Sequence, residues 1–347
     1  MTGEFLTPQD PRWTKYLQTC CHDFYHLPEY VALCAKYEGA IPVAFYAEHE
    51  EAAFLAPLLI RPTPIVEGAL EGWYDATVPY GYPTPLVNPP QASLEDFLHS
   101  FRLAASQRSL VTAFFRLHPL LALNHDSLKK FGRVVTHGQT VFIDLSKSAE
   151  EIRGEASQNH QRNIRRLLNL GFTVSLDDWE LFKDFIAIYS ATMRRVGAIQ
   201  NFLFSEDYFK DLRAALRERV HLCCVLSPKG DVASAGLFIE TKGIVQYHLG
   251  GTADEHLSLA PSKLMFDFMP RWAHERKHIV FHLGGGVGGV QDPLFQFKAG
   301  FSKGRADFFT FRMILDEEKY HLLNQRAQVR CPDQDPTRAH FFPQYRQ

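Results

Sequence analysis

The sequence lacks the features that mark several classes of protein. Its six cysteines form no C-x-x-C pair, and four of them stand as adjacent pairs, a spacing that suits neither a zinc site nor a disulfide framework. No segment approaches the roughly 20 apolar residues of a membrane-spanning helix. The N-terminus, MTGEFLTPQDPRW, has no apolar core of a signal peptide. We therefore expect free thiols, no bound metal, no membrane span and a soluble cytoplasmic protein.

An excess of charge of one sign is also missing. Lys and Arg number 37 against 39 Asp and Glu, so the formal net charge is −2. A chain with this balance has no basic field over its whole surface, and we expect no DNA partner. The 46% of hydrophobic and 22% of charged residues are typical of a globular protein. A length of 347 residues suggests about two domains.

The first half of the chain predicts mixed structure around a long loop. Pro28 begins a predicted helix over 28–37, and VAFYAEHEEAAFLAPLLIRP predicts a strand, a polar turn and a second strand. Proline and glycine are dense over 62–90, which predicts a long ordered loop of the kind that often carries function. Within this loop Tyr80 and Tyr82 either line an acceptor groove or pack against the prolines. Ser93 is the predicted N-cap of an amphipathic helix, and LVTAFFRL predicts a buried strand.

A second unit is predicted to begin near Thr140. Residues 149–170 predict one long helix that ends at Gly171, and further helices are predicted over 179–196, after Ser205 and over 261–278. The predicted strands between and after them are VFIDLSK, FTVSL, HLCCVL, VASAGLFIE, GIVQYHLGG, IVFHL and DFFTFRMIL. The polar tail after residue 324 is expected to be loosely held. This order of elements predicts a mixed α/β fold.

The turn HLGGGVGGVQD contains a literal G-x-G-x-x-G at Gly284, Gly286 and Gly289. A dinucleotide-binding domain is excluded, because the next helix begins only at Asp292–Pro293 and a single strand follows it. Two interpretations remain open. The turn is either a flexible connection or a loop whose backbone amides, with Gly285 as the candidate position, approach a donor molecule.

From residue 140 onward the order of motifs resembles the GNAT superfamily of acyltransferases, in particular its FemA/FemB/FemX-like branch with the CelD/BcsL-type acetyltransferases. The resemblance rests on three ordered blocks and, more loosely, on YGYPTPL in the first half; the blocks are NHQRNIRRLLNLGFTV, VQYHLGGTADEHLSLAPSKLMFDFMPRWA and VFHLGGGVGGVQDPLFQFKAGF. It implies two tandem GNAT-like domains, over 1–139 and 140–324, followed by the polar tail 325–347.

The activity that this resemblance implies is acyl transfer to an amine. The donor is acyl-CoA or, as the alternative, aminoacyl-tRNA; either is a co-substrate rather than a tightly bound cofactor. The acceptor is a small-molecule or peptide amine, such as a peptidoglycan peptide. A GNAT-fold module that binds a ligand without turnover is the alternative of another class. Two family features are missing, because no heptad run predicts a coiled-coil arm and the pyrophosphate signature Q/R-x-x-G-x-G/A does not occur between Gly250 and Ser262.

Lys298 is the first candidate for a catalytic residue. It follows Phe297 in a Phe-Lys pair that, by the resemblance, contacts the donor, and it borders a predicted apolar face of Leu294, Phe297 and Phe301. The alternative is a lysine that packs its stem and keeps its charge in solvent. His248 and His282 are further catalytic candidates. If their strands are neighbours, either imidazole could accept the proton of the amine, although a histidine in a strand is often purely structural.

Basic residues supply candidates for holding the donor. Arg162, Arg165 and Arg166 cluster on one predicted helix, where they are either a solvated face or a phosphate-binding surface. Ser262 and Lys263 stand at the start of a later helix, a position that attracts anions.

Overall fold

The computed structural model describes residues 3–64, 72–198, 203–330 and 341–347. The chain divides into two compact units. The first comprises Met1–His137 with Phe308–Gln347, and the second comprises Gly138–Asp307. Each unit is described by itself below.

The helices and strands up to residue 144 are β1 (Gly3–Leu6), α1 (Pro11–Thr19), α2 (Pro28–Glu38), β2 (Ile41–His49), β3 (Ala52–Pro62), β4 (Tyr74–Thr77), β5 (Leu86–Asn88), α3 (Leu94–Gln107), β6 (Leu110–Leu117), α4 (His125–Lys129) and β7 (Arg133–Asp144). Those that follow are α5 (Ala149–Glu155), α6 (Gln158–Asn169), β8 (Thr173–Leu176), α7 (Phe182–Arg195), α8 (Glu206–Leu216), β9 (Val220–Leu226), β10 (Val232–Thr241), β11 (Ile244–Thr252), α9 (Ser262–Glu275), β12 (Val280–Gly285), α10 (Pro293–Ala299), β13 (Gly304–Ile314) and α11 (Glu317–Arg330).

The first unit contains a mixed sheet in the order β1-β2-β3-β4-β6-β13, with β5 paired to β3. Its pairs are antiparallel except for β4 and β6, which run parallel. One face packs on α3, whose Phe97 and Phe101 are buried against Phe45, Phe54 and Phe115 of the strands. This aromatic core accounts for part of the high phenylalanine content.

The second unit contains a mixed sheet in the order β7-β12-β11-β10-β9-β8. Here β11 and β12 are the parallel pair, and the other neighbours are antiparallel. One face of the sheet, through Val245 and Phe281, packs on α6, α9 and α10. The opposite face packs on α7, where Phe185 and Tyr189 meet Phe209 of α8.

The local signals for the ends of the helices are confirmed. Ser93, Ser205 and Asp292 each accept a hydrogen bond from a backbone N–H in the first turn of the helix that follows. Gly171 follows α6 in the left-handed region, with φ of 87°. The predicted strands form at their predicted places, and the mixed α/β class is confirmed.

The single long helix expected over 149–170 is wrong. The structure has two helices, because Ala156 is extended and Ser157 caps a new helix by accepting the N–H of His160. The hydroxyl of a serine competes for backbone donors, which makes it a poor interior residue and a good N-cap. The break gives α6 a direction independent of α5.

Two expectations about less regular segments are also corrected. The region 62–90 contains β4 and β5, while its residues 65–71 lie outside the described residues. The tail is not loosely held throughout, since residues 317–330 form α11 and Tyr345 is buried with Leu323 in a small core. Residues 331–340 lie outside the described part of the chain.

The predicted division into domains remains a prediction, and the structure adds one difference. Residues 308–324 were expected in the second domain, but they lie in the first unit. The reason is pairing, since Phe309–Ile314 of β13 bond to β6 across almost 200 residues of sequence. Within the described ranges, no helix combines the length and apolar character that crossing a membrane requires.

Candidate active site

The second unit has a point where two parallel strands separate. Pairing of β11 with β12 covers Ile244, Val245 and Gln246 opposite Val280, Phe281 and His282. Beyond Gln246 the two strands continue without further pairing to each other among the described residues. The register of β10 with β11 slips between Leu237 and Phe238, so that His248 forms a bulge. A bulge bends its strand, and this one lies where β11 leaves β12; we call the space between the two separated strands the cleft.

Lys298 lies at this cleft. It is only 6% exposed, and its Nζ donates a hydrogen bond of 2.7 Å to the carbonyl oxygen of Gly285 at the end of β12. The same nitrogen is 5.8 Å from the ring centroid of Tyr247 in β11. Burial lowers the pKa of Lys298 to about 8, while Asp292 acts in the opposite direction. The lysine is therefore aimed inward between the two strands and does not extend into solvent.

The apolar face predicted beside Lys298 is partly wrong. Phe301 is buried and Phe297 packs against the core, but Leu294 is 42% exposed and Phe295 takes the buried place. The short helix α10 is thus held by the bond of Lys298, by the cap at Asp292 and by the buried Phe295, and not by the predicted apolar face.

The glycine-rich turn is held by one carboxylate. Asp292 accepts the N–H of Val287 with one oxygen, at 2.9 Å, and the N–H of Phe295 with the other, at 2.7 Å. Gly284 adopts φ of 77°, and a Cβ built there would lie 3.3 Å from Nζ of Lys298. A larger residue would be strained and would crowd the lysine. The turn thus links the end of β12 to α10, and donor binding by Gly285 remains a prediction.

The two predicted histidines lie on the neighbouring strands. His282 is fully buried, and its Nδ1 is 2.7 Å from Oε1 of Gln246, directly opposite in the register. His248 is buried at the bulge. Gln246 and Tyr247 are successive strand residues, so they point to opposite faces. Lys298 therefore shares the face of Tyr247, whereas His282 shares the face of Gln246. The prediction named His282 without its glutamine partner.

The basic residues predicted to hold the donor lie on α6 and at the start of α9. Arg162, Arg165 and Arg166 are exposed, whereas Lys263 is buried and Ser262 is half-buried. Burial lowers the pKa of Lys263. The side chain of Asn163 donates to the carbonyl of Leu259 at 3.4 Å, which ties α6 to the segment before α9. The two groups of cations are therefore on adjacent helices.

His160 is a residue whose role the sequence did not reveal. Its Nε2 lies 2.9 Å from the carbonyl oxygen of Phe297, and its ring is 4.4 Å from that of Phe301. Burial, and to a smaller extent Lys263, lowers its pKa. His160 thus fixes α6 against the helix that carries Lys298. Its spacing with Ile164 and Leu167, which share the buried side of α6, was the signal that could have identified it.

Tyr80 and Tyr82 lie in the first unit. The ring of Tyr82 is 5.1 Å from Phe308 and 6.1 Å from His118, and the carbonyl of Tyr80 accepts the hydroxyl of Tyr30 at 2.8 Å. Burial raises the pKa of both phenols, that of Tyr80 to about 12. These contacts establish packing roles, and an acceptor groove at these tyrosines remains a prediction.

A family model described as an acetyltransferase (GNAT) domain matches residues 154–298, the segment that contains the separated strands and Lys298. This segment is a GNAT acetyltransferase domain. The chain is accordingly an acyltransferase of the GNAT fold. Searching by sequence among curated proteins found no match.

Solved structures agree on the fold. A crystal structure of FemX is similar with a TM-score of 0.71 at 16% identity, covering 93% of this chain and 99% of that chain. The C-terminal domain of a putative lysylphosphatidylglycerol synthetase from Agrobacterium fabrum is similar with a TM-score of 0.55 at 12% identity, covering 92% and 95%. The L-PGS structure from Bacillus licheniformis gives 0.54 at 13% identity, covering 88% and 92%. At these identities the likeness is one of fold, and the fold is the GNAT fold expected from the sequence.

Proposed function

We propose that the cleft between β11 and β12 holds an acyl donor and that the chain transfers its acyl group directly to an amine. The observation that carries this proposal is the separation of the two strands after three paired residues, with Lys298 buried at the opening. Separated strands leave backbone N–H and C=O groups available to a ligand. Such groups bind the extended arm of a donor and fix its carbonyl.

Lys298 is proposed to act on the reacting carbonyl or on a phosphate of the donor. A protonated lysine in a partly dry cleft stabilises negative charge more strongly than one in water. In the reaction the neutral amine attacks the carbonyl, a C–N bond forms and the C–S or C–O bond to the donor breaks. The proton lost by the amine ends on the leaving sulfur or oxygen, and His248 or His282 is proposed to relay it. No covalent intermediate with the enzyme is needed.

Acyl-CoA is the first proposed donor. Its phosphates need cations and helix N-termini, and Lys263 and Ser262 begin α9 while Arg162, Arg165 and Arg166 line the adjacent α6. Arginine and lysine together suit a pyrophosphate. The acceptor is proposed to be a small-molecule or peptide amine.

Aminoacyl-tRNA is the second proposed donor, because a specific observation favours it. The amides of Lys263 and Leu264 at the start of α9 already donate to Ala260 and Pro261. These two amides are therefore less available to a pyrophosphate than the backbone amides of a glycine-rich turn would be. The likeness to FemX over 93% of the chain also favours a donor that ends in an aminoacyl ester.

A donor panel tests the proposal. The full chain is incubated with acyl-CoAs of different length and with charged tRNAs, each with a mixture of amine acceptors, and the products are identified by mass. A product heavier by the acyl group is expected with one donor class only. Saturable donor binding with no product across the panel would contradict enzymatic transfer and favour the non-catalytic binding module.

A further inference from the structure

The first unit contains a cavity that the proposed acyl transfer does not use. Its volume is about 290 Å³, and its lining is drawn from α3, residues 131–133 at the start of β7, β13, α11 and residues 341–344. This volume lies just below the range of about 300 to 1,000 Å³ for sites that bind drug-sized molecules, so it suits a small ligand. The lining residues on which the argument rests are Arg102, Arg133, Arg312, Tyr320, Phe341 and Phe342.

The charge of the lining points to an anion. Three arginines and the single carboxylate of Glu317 give it a net charge of about +2. Burial and the neighbouring Arg133 lower the pKa of Arg312. The positive charges of these two arginines therefore lie close together at a partly buried position. Within the described ranges, neither Arg102 nor Arg133 forms an ion pair with a carboxylate. A phosphate monoester carries about −1.5 to −2 at pH 7 and matches this charge.

The fork-shaped donors of arginine also match phosphate geometry. Guanidinium groups bind two oxygens of one phosphate at once, which a point charge does not do. The guanidinium of Arg312 is 5.8 Å from the ring centroid of Phe342, and that of Arg102 is 5.8 Å from the ring of Phe131. These contacts between guanidinium groups and rings hold the two planar cations in place.

Aromatic side chains supply a second kind of wall. Phe342 stacks on Tyr320 with ring centroids 6.2 Å apart, and Phe341 is 48% exposed at the same cavity. A large exposed aromatic ring beside arginines is a surface on which a flat ring can stack. Phosphate alone would not use this wall.

Close backbone contact keeps the arginines together. A Cβ on Gly132 would lie 2.3 Å from the carbonyl oxygen of Arg312, so only glycine allows the chain before Arg133 to approach β13. The approach places Arg133 beside Arg312 in spite of their like charges. The site is thus built from four separate parts of the chain.

We propose that this cavity binds a phosphate monoester joined to a flat aromatic ring, the class of a nucleoside monophosphate, through Arg102, Arg133 and Arg312 for the phosphate and Phe341, Phe342 and Tyr320 for the ring. The proposal is independent of the proposed acyl transfer, since it rests on residues of the first unit alone.

Calorimetric titration of the full chain with adenosine and uridine monophosphates tests the proposal. We expect saturable binding of at least one of them with one site per chain, and a fall in affinity as salt is raised. Adenosine or uridine alone, ribose 5-phosphate and inorganic phosphate should each bind at least about tenfold more weakly, because each contacts only one of the two walls.

Two variants at exposed positions locate the site. Arg133→Gln and Phe341→Ser should each weaken binding of the nucleotide at least about tenfold without a change in melting temperature. Lys129→Gln, which removes an exposed cation of the nearby α4 that does not line the cavity, should bind normally. Absence of saturable binding, equal binding of ribose 5-phosphate or of the nucleoside, or unchanged binding in both variants would each overturn the proposal.

Discussion

Replacing Lys298 with methionine tests the central assignment, since it keeps most of the stem and removes the charge. Burial holds the pKa of Lys298 at about 8 instead of the ordinary 10.5. At about 1.4 kcal/mol per pKa unit, keeping the lysine protonated in the folded state at pH 7 costs about 3 kcal/mol. Loss of the charge-assisted bond to Gly285 removes a contribution of about 1.5 to 3 kcal/mol. We therefore expect a folded variant whose melting temperature changes little.

The dependence of stability on pH follows from the direction of the pKa change. Between pH 8 and 10.5 the unfolded chain binds a proton at Lys298 that the folded chain does not bind. The free energy of unfolding contributed by this group therefore rises with pH through that window, and its full cost is present below pH 8. Denaturant unfolding at neutral and alkaline pH should show the rise in the wild type and not in Lys298→Met.

In contrast to the stability, the rate of acyl transfer should fall as pH rises. We expect Lys298→Met to lose at least about tenfold in kcat/KM, or about 1.4 kcal/mol of transition-state stabilisation. If the charge is what matters, wild-type activity falls as pH rises through about 8, whereas Lys298→Arg keeps its charge at higher pH. Lys303→Met, an exposed lysine on the segment after α10, is the matched control and should stay active. A folded Lys298→Met variant with near-normal transfer would refute the reasoning and return the residue to a packing role.

Three further predictions concern the basic helix and the first unit. Arg165→Ala should weaken donor binding in a salt-dependent manner, whereas the control Arg153→Ala on α5 should not. If equilibrium titrations give the two variants the same donor affinity, the phosphates of the donor bind elsewhere. Burial lowers the pKa of His26 to about 3, so the free energy of unfolding should fall by about 1.4 kcal/mol per pH unit from pH 6.5 down to about 3, and His26→Gln should remove that part of the slope in unfolding curves. Removing residues 341–347 breaks the ion pair of Arg346 with the buried Asp75 and the hydrogen bond of Tyr345 with Thr112. The free energy of unfolding, measured with denaturant, should therefore fall by about 2 to 4 kcal/mol. An unchanged unfolding midpoint would contradict a stabilising role for these residues.

The candidate site was only partly predictable from the sequence, and the residues show why. Lys298, His248 and His282 were identified as candidates because of their motifs and their strand positions. Their partners were not, because Gly285 is 13 residues from Lys298 and Gln246 is 36 residues from His282. Contacts at such separations depend on which strands are neighbours and in what register. One slip of register would turn Gln246 away from His282.

The sequence by itself determined the features that depend on a few neighbouring residues. Ser93, Ser205 and Asp292 begin helices because a short polar side chain reaches the amides of the next turn, and Gly171 ends one because it adopts positive φ without strain. The strands β9 to β12 were likewise predicted from short runs of sequence, and three ordered sequence blocks carried the resemblance that implied the GNAT fold.

Only the tertiary structure decided the burial of Lys298, the docking of His160 on α10, and the return of residues 308–347 to the first unit. Each of these results from pairing or packing between segments distant in sequence. The free energy of such contacts comes from surfaces that meet only after the sheets form, so no local pattern of residues records it.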